Sequence, residues 1–141
     1  MRSLVLSAII MTVGLFPAGH AVADPAAFDG TWDVLALCPA TTEGAFGYTL
    51  QFPAQVKAGV LHGVYGTEGK SSSMTLDGMI QPDGSAKFAA KGLTGDSAYS
   101  GANVKPATPY AYDVTATFKG ARGTGTRIGG TRSCNYTFTR R

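Results

Sequence analysis

The sequence is poor in the side chains that carry most catalytic and metal chemistry. It has two histidines in 141 residues, and because His20 lies in an N-terminal apolar segment, only His62 remains for a folded domain. A structural zinc site needs three or four ligands, and a Ser-His-Asp triad needs a serine held beside a histidine, yet no Gly-x-Ser-x-Gly elbow is present. Asp33, Asp77 and Asp113 lie on the predicted outer face, where no raised pKa is expected. We therefore predict a protein that is not an enzyme and has no metal site and no cofactor.

Charge and helix-forming runs are also scarce. Charged residues make up 15% of the chain, and periodic runs of Ala, Leu, Glu and Lys are nearly absent. Glycine is frequent, with 19 residues, and Thr, Tyr and Val recur at regular spacing, which is typical of short strands and tight turns. Beyond the N-terminal segment, no run is long and apolar enough for us to predict a membrane span.

The first 23 residues have the three parts of a secretory signal peptide. Arg2 is a short positive region, residues 4–16 form an apolar run, and residues 21–23 are a small-residue cleavage site. A retained membrane anchor is the alternative, but the apolar run is short for a span. We predict cleavage before Asp24, a periplasmic or secreted location, and a single domain formed by the 118 residues that remain of 141 after these 23.

Segments of this domain alternate between apolar and polar residues. The clearest pattern covers residues 46–57, where every second residue is apolar: Phe46, Tyr48, Leu50, Phe52, Ala54 and Val56. A period of two over this length predicts a strand with one buried face. The other predicted strands are 30–38, 60–66, 74–81, 86–92, 110–119, the glycine-rich and weakly patterned 124–131, and 133–139. The order predicts an all-β, about eight-stranded antiparallel up-and-down barrel, because closure removes both sheet edges. A β-sandwich is the alternative.

Two cysteines predict how the barrel closes. Cys38 and Cys134 both fall on the inward faces of their strands, and two cysteines in an exported chain most simply form one disulfide. The bridge would place the first and last strands side by side and stabilise the fold by about 4–5 kcal/mol on the chain-entropy model. Because paired residue numbers have a constant sum between antiparallel neighbours, this pairing places Trp32 near Arg140.

The triplet Gly30-x-Trp32 on the first strand, with Arg140 from the last strand lying over the tryptophan, resembles the calycin superfamily of lipocalins and avidins, where such a pair closes the barrel base. The segment 60–65, Val-Leu-His-Gly-Val-Tyr, is also similar to the third strand of an avidin. The resemblance implies a barrel in which Trp32 and Arg140 form a structural cation–π contact. Avidins hold biotin with several tryptophans, whereas this chain has only Trp32, so the resemblance does not extend to biotin.

Four tyrosines are candidates for ligand contacts, because the tyrosine side chain combines apolar area with a polar tip. They are Tyr48, Tyr65, Tyr110 and Tyr112. We predict that the barrel binds an unknown small molecule at its mouth, and that the irregular stretch 93–109, rich in Gly, Ser, Ala and Pro, acts as a lid. The alternative is an interior that is filled by its own aromatic side chains.

Charge is unevenly divided along the chain. Residues 24–113 contain nine acidic residues and five lysines, whereas residues 114–141 contain six basic residues and no acid. Because the last three strands are neighbours, we predict a basic face formed by Lys119, Arg122, Arg127 and Arg132. It is either plain solvated surface or a site for an anionic glycan, lipid head groups or an acidic protein. Nucleic acid is disfavoured by the exported location and the modest net charge.

A second functional hypothesis is a periplasmic protein-partner module such as a protease inhibitor, in which the N-terminal arm, residues 24–28, inserts into the enzyme. A deep cavity lined by tyrosines would favour the small-molecule hypothesis. A filled interior with a protruding arm would favour the protein partner. In both cases we predict a monomer or a weak oligomer.

Overall fold

The alternating segments pair in sequence order and close on themselves. The computed structural model describes residues 24–101 and 103–141. Its strands are β1 (Gly30–Cys38), β2 (Tyr48–Lys57), β3 (Val60–Tyr65), β4 (Ser73–Ile80), β5 (Ser85–Leu93), β6 (Pro109–Lys119), β7 (Arg122–Ile128) and β8 (Asn135–Arg140). Each pairs antiparallel with the next, and β8 pairs with β1. The predicted barrel is confirmed. The predicted signal peptide, residues 1–23, lies outside the described residues.

Several strand boundaries differ from the sequence prediction, and the largest differences are at β2, β7 and β8. β7 ends at Ile128 because Gly129 and Gly130 both adopt positive φ, which takes the chain out of the extended region. β8 begins at Asn135 rather than at residue 133. β2 begins at Tyr48, the partner of Cys38, because Pro39 has no N–H to continue the ladder with β1. The prediction that Phe46 is buried in the barrel is therefore wrong. Its side chain is 61% exposed, in the loop that precedes β2.

The closure of the barrel follows the predicted register. Trp32 lies opposite Arg140 in the pairing of β1 with β8. Cys38 and Cys134 form a disulfide, with Cα atoms 4.3 Å apart and a sequence separation of 96. Both the disulfide and the alignment of Trp32 with Arg140 are thus confirmed. Within the described ranges, no helix has the length and apolar composition needed to cross a bilayer.

One end of the barrel is filled by aromatic side chains, and we call it the closed end. Trp32 packs edge-on against Phe118 with ring centroids 5.2 Å apart, and Phe118 contacts Phe138 at 4.9 Å. A short 3-10 helix, Pro25–Phe28, lies across this end. The carbonyl of Phe28 accepts a hydrogen bond of 2.9 Å from the Trp32 indole, so the N-terminal helix is part of the core.

Arg140 completes the closed end. Its guanidinium carbon lies 5.0 Å from the centre of the Trp32 ring, and one of its terminal nitrogens donates to the Ala27 carbonyl at 2.7 Å. The arginine thus joins β8, the tryptophan of β1 and the N-terminal helix, as expected for a structural cation–π contact.

The opposite end, where β1 ends and β2 begins, is the open end. Four loops meet there: 39–47, 66–72, 94–108 and 129–134. The core at this level is incompletely packed, and the side chains that border it are only partly buried: Tyr48, Leu50, Tyr65, Tyr110 and Tyr112. The interior is therefore filled at the closed end and hollow at the open end.

Candidate ligand-binding site

A cavity of about 690 Å³ opens between the strand ends and the loops of the open end. Its volume is within the range of small-molecule sites, roughly 300–1,000 Å³. All four predicted tyrosines line it: Tyr48, Tyr65, Tyr110 and Tyr112. They come from β2, β3 and β6, so the fold brings together residues that are far apart in sequence.

The period of two in β6 directs two of these tyrosines to the same wall. Tyr110 and Tyr112 point inward from alternate positions, and their rings lie nearly parallel, at 9° with centroids 5.9 Å apart. The Tyr110 hydroxyl donates to the carbonyl of Ser73 at 3.3 Å, which ties this wall to β4. Two parallel aromatic rings therefore lie side by side along one wall of the cavity.

A pair of hydroxyl groups separates the cavity from the aromatic core. The Tyr112 and Tyr136 oxygens lie 2.7 Å apart, and the Tyr112 hydroxyl is 3.3 Å from the sulfur of Met74. Tyr136 is 1% exposed and is bonded to Tyr112, which lines the cavity, but Tyr136 does not line the cavity itself. It was not among the predicted ligand-contact residues. The alternation of β8 placed it inward, but no sequence feature related it to Tyr112.

Burial raises the pKa of these phenols. Loss of solvation raises the pKa of Tyr136 to about 12, and it raises the pKa values of Tyr110 and Tyr112 further above their ordinary value of 10.0. All three hydroxyls are therefore neutral near neutral pH. A neutral phenol donates and accepts hydrogen bonds, so these groups are suited to orienting a polar ligand atom rather than to transferring protons.

Arg127 is the cationic group of the cavity, and the prediction that it forms part of an outer basic face is wrong. It extends inward from β7, is half-buried, and its guanidinium carbon lies 4.0 Å from the centre of the Tyr112 ring. Its Nε is buried and has no hydrogen-bond partner among the described residues. The inward face of β7 otherwise carries Gly123 and Gly125, so apolar alternation could not reveal which face is buried.

Arg132 is also misplaced by the basic-face prediction, because its side chain is 7% exposed. It donates to the carbonyls of Pro39, Phe46 and Tyr99, at 2.5, 2.9 and 2.9 Å, and its guanidinium carbon lies 4.8 Å from the Tyr48 ring centre. Arg132 therefore joins three segments of the open end.

The position of Arg132 has a simple explanation in the sequence. It precedes the buried Cys134 by two residues, and the burial alternation of β8 continues back through both. Of the predicted basic face, only Lys119 and Arg122 are exposed, and both lie at the turn of the closed end. The continuous basic face is therefore not present.

The predicted lid covers part of the cavity, although its two end residues belong to strands. Leu93 ends β5 and Pro109 begins β6, and a four-residue helix, Ser97–Ser100, lies between them. The Thr94 N–H donates to the Thr108 carbonyl, and the Ala107 N–H donates to the Thr94 carbonyl, so these bonds close the base of the loop. The loop also contributes Tyr99 to the cavity wall, and the Tyr99 ring packs edge-on against Phe46.

The remaining titratable candidates lie outside the barrel. His62 Nδ1 is 2.5 Å from an oxygen of Asp77 on the outer face, and both side chains are exposed. Asp33 accepts hydrogen bonds from Arg141, which lower the pKa of that carboxyl. Within residues 24–101 and 103–141, no three His, Cys, Asp or Glu side chains are grouped to hold a metal ion.

Comparisons with known proteins were made at the levels of family, sequence and structure. No family model matches the chain, and no curated protein or solved structure matches it. The function is therefore inferred from the geometry of the site.

Proposed function

We propose that this protein is an exported, non-catalytic binding module that holds a small molecule in the cavity at its open end. One observation carries the proposal: a barrel whose closed end is densely filled keeps a cavity of about 690 Å³ lined by tyrosines at the other end. Side chains around this space make fewer packing contacts than those at the closed end, which forgoes dispersion energy. A protein that retains such a space is expected to use it.

The composition of the wall supports a small organic ligand. Aromatic rings offer large contact areas at a low cost in side-chain entropy, and a few polar groups then fix the orientation of the ligand. In this cavity the rings come from tyrosines, and the polar groups are their hydroxyls, the Arg127 guanidinium and the backbone of the lid loop. The neutral phenols and the absence of a grouped metal-binding set in the described residues support binding rather than catalysis.

The proposed location is the periplasm or the exterior of the cell. The N-terminal 23 residues have signal-peptide composition, and the Cys38–Cys134 disulfide is suited to an oxidising compartment. The contact between Trp32 and Arg140 at the closed end also supports the calycin-like relationship suggested by the sequence, which we retain as part of this proposal.

The protein-partner hypothesis has less support. It requires residues 24–28 to be free for insertion into an enzyme. In the structure the Phe28 side chain is buried, and the carbonyls of Ala27 and Phe28 already accept hydrogen bonds from Arg140 and Trp32. Releasing the arm would expose the aromatic core at the closed end.

The test is a thermal-shift screen of the purified protein, expressed with its own N-terminal segment, against a library of metabolites. A ligand that binds only the folded state raises the melting temperature. Leu50 lines the cavity, so the larger side chain of Leu50→Trp should occupy part of the space that the ligand needs and remove the shift. Leu37→Trp, on the outer face of β1, is the matched control and should keep the shift. The proposal fails if no compound stabilises the protein, or if the shifts survive in Leu50→Trp.

A further inference from the structure

We propose that the cavity selects a ligand that combines a flat unsaturated ring with one negatively charged oxyanion, and that Arg127 binds the oxyanion. This inference rests on the proposed function and adds the chemical class of the ligand. It depends on three features of the cavity: an arginine without an acceptor, aromatic rings along the wall, and the engagement of the other nearby charges.

Arg127 differs from the other inward and terminal arginines in its hydrogen bonding. Arg132 donates to three carbonyls, Arg140 to one carbonyl, and Arg141 to the carboxylate of Asp33. The Nε atoms of Arg127 and Arg140 are both buried without a partner, but Arg140 donates through a terminal nitrogen, whereas no acceptor and no salt bridge for the Arg127 side chain is found among the described residues. A half-buried cation without a partner is costly, because it has lost water without gaining an acceptor. A ligand anion would offset that cost.

The contact with Tyr112 orients the Arg127 guanidinium. The guanidinium carbon lies 4.0 Å from the ring centre, so the group is held against an aromatic face. A guanidinium in this position keeps its N–H edge available, and that edge matches two oxygens of one oxyanion. The Tyr112 hydroxyl is already bonded to Tyr136, so Arg127 is the stronger donor for a ligand at this point.

The ring requirement follows from the walls. Tyr110 and Tyr112 present nearly parallel rings, and Tyr48, Tyr65 and Tyr99 line other parts of the cavity. Flat unsaturated rings pack against such walls in offset-stacked or edge-to-face geometry. A flexible alkyl chain could fill the same volume, but it would not use these orientations.

The single charge follows from what surrounds Arg127. Arg132 lies behind Tyr48 and does not line the cavity, and three of its five N–H donors bond backbone carbonyls. Asp96 is the one carboxylate among the described lining residues, and its side chain accepts from the Ala98 N–H at 2.9 Å. One cation is therefore available, and a second negative charge on the ligand would be buried without compensation.

Four probes with the same ring system test the inference by isothermal titration calorimetry. They are 2-naphthoate and naphthalene-2-sulfonate, each with one negative charge, 2-naphthyl phosphate with up to two, and the neutral methyl 2-naphthoate. We expect both monoanions to bind about 10- to 100-fold more tightly than the ester, as charge-assisted hydrogen bonds predict. Arg127→Met should remove this preference while ester binding remains.

Two further variants separate charge from folding. Arg127→Lys should keep part of the preference, because it retains a cation without the paired donor edge. Arg122→Met removes an exposed arginine from the same strand and should leave all four affinities unchanged. The melting temperature of each variant is measured first, to show that it folds.

The outcomes distinguish this inference from the proposed function. If the ester binds as tightly as the monoanions, or if the preference survives in Arg127→Met, the assignment to Arg127 is overturned and the binding function stands. If 2-naphthyl phosphate binds most tightly of the four probes, the inference that the ligand carries a single negative charge is overturned. If none of the four probes binds but the metabolite screen yields ligands that Leu50→Trp abolishes, the ligand class is wrong and the cavity is still the site. Failure of both experiments overturns the proposed function as well.

Discussion

The hydroxyl oxygens of Tyr112 and Tyr136 lie 2.7 Å apart, in a hydrogen bond that joins β6 to β8 across the barrel interior. The two strands are not neighbours, because β7 lies between them. On β7, the register partner of Tyr136 is Gly125. This pair of phenols marks the boundary between the packed aromatic core and the cavity.

The buried tyrosine hydroxyls should make the stability of the protein sensitive to alkaline pH. The folded protein raises the pKa of Tyr136 to about 12, whereas the ordinary tyrosine value is 10.0. Above pH 10 the unfolded chain therefore releases protons that the folded protein retains, so unfolding is favoured as the pH rises. Below about pH 10 the tyrosines stay protonated in both states, so their contribution to the free energy of unfolding should not change. Between pH 10 and 12 we expect that free energy to decline.

The measurement is a pH titration of phenolate absorbance beside circular dichroism. The buried tyrosines should ionise only as the β-sheet signal is lost, and Tyr136→Phe should shift the alkaline transition to higher pH. A titration in which all six tyrosines ionise near pH 10 with the fold intact would contradict this prediction.

Arg132 should be a main determinant of order at the open end. Arg132→Met removes three hydrogen bonds to the carbonyls of Pro39, Phe46 and Tyr99 and leaves those acceptors poorly satisfied. We expect a loss of roughly 2–4 kcal/mol in the free energy of unfolding. Urea denaturation measures it, with Arg122→Met as the matched exposed control.

The same variant should loosen the lid loop. Faster amide hydrogen exchange is expected at Phe46, whose N–H donates to the Ala98 carbonyl. Exchange at the closed end, for example in β8 near Phe138, should be unchanged. Equal stability of Arg132→Met and Arg122→Met would show that the three carbonyl contacts contribute little.

The disulfide should stabilise the protein mainly by lowering the conformational entropy of the unfolded chain. Replacing both cysteines, Cys38→Ala with Cys134→Ala, is expected to lower the free energy of unfolding by about 4–5 kcal/mol, because the bond closes a loop of 96 residues. Guanidinium denaturation checks this, and reduction of the wild-type protein is the matched control.

An intact mass should also show a chain that starts at Asp24 and lacks two thiol hydrogens. A full-length mass would overturn the predicted cleavage.

The closure of the barrel could be predicted from the sequence, but which end of its interior is filled and which is hollow could not. The period of two predicts which residues face inward, and the register of Cys38 with Cys134 carries through to Trp32 and Arg140. The level of a residue along the barrel axis depends on how all eight strands are staggered. No single segment contains that information, so the filled and hollow ends could not be predicted.

The two inward arginines were hidden from sequence reasoning for a related reason. Charged residues are normally assigned to the outer face, and Arg127 and Arg132 lie in the glycine-rich region 122–132, where few apolar residues define a face. Both point inward because side chains two residues apart in an alternating segment share a face. Arg127 shares its face with Gly125, and Arg132 shares its face with Cys134. A strict alternation count from Cys134 would have identified Arg132. Nothing in the sequence indicates the contact of Arg127 with Tyr112.

The turn between β2 and β3 offers a stabilising substitution. Ala58 and Gly59 both have positive φ, of 50° and 78°, and the Asp29 carboxylate accepts hydrogen bonds from both of their N–H groups. Alanine is strained in this region, whereas Asn-Gly is the preferred pair for a two-residue hairpin turn of this hand. We expect Ala58→Asn to raise the free energy of unfolding by roughly 0.5–1 kcal/mol. Ala58→Val, with a β-branched side chain, should lower it, and chemical denaturation of the two variants beside wild type measures both. If Ala58→Asn is no more stable than wild type, the turn residue is not strained enough to matter, and the two Asp29 hydrogen bonds alone hold the hairpin.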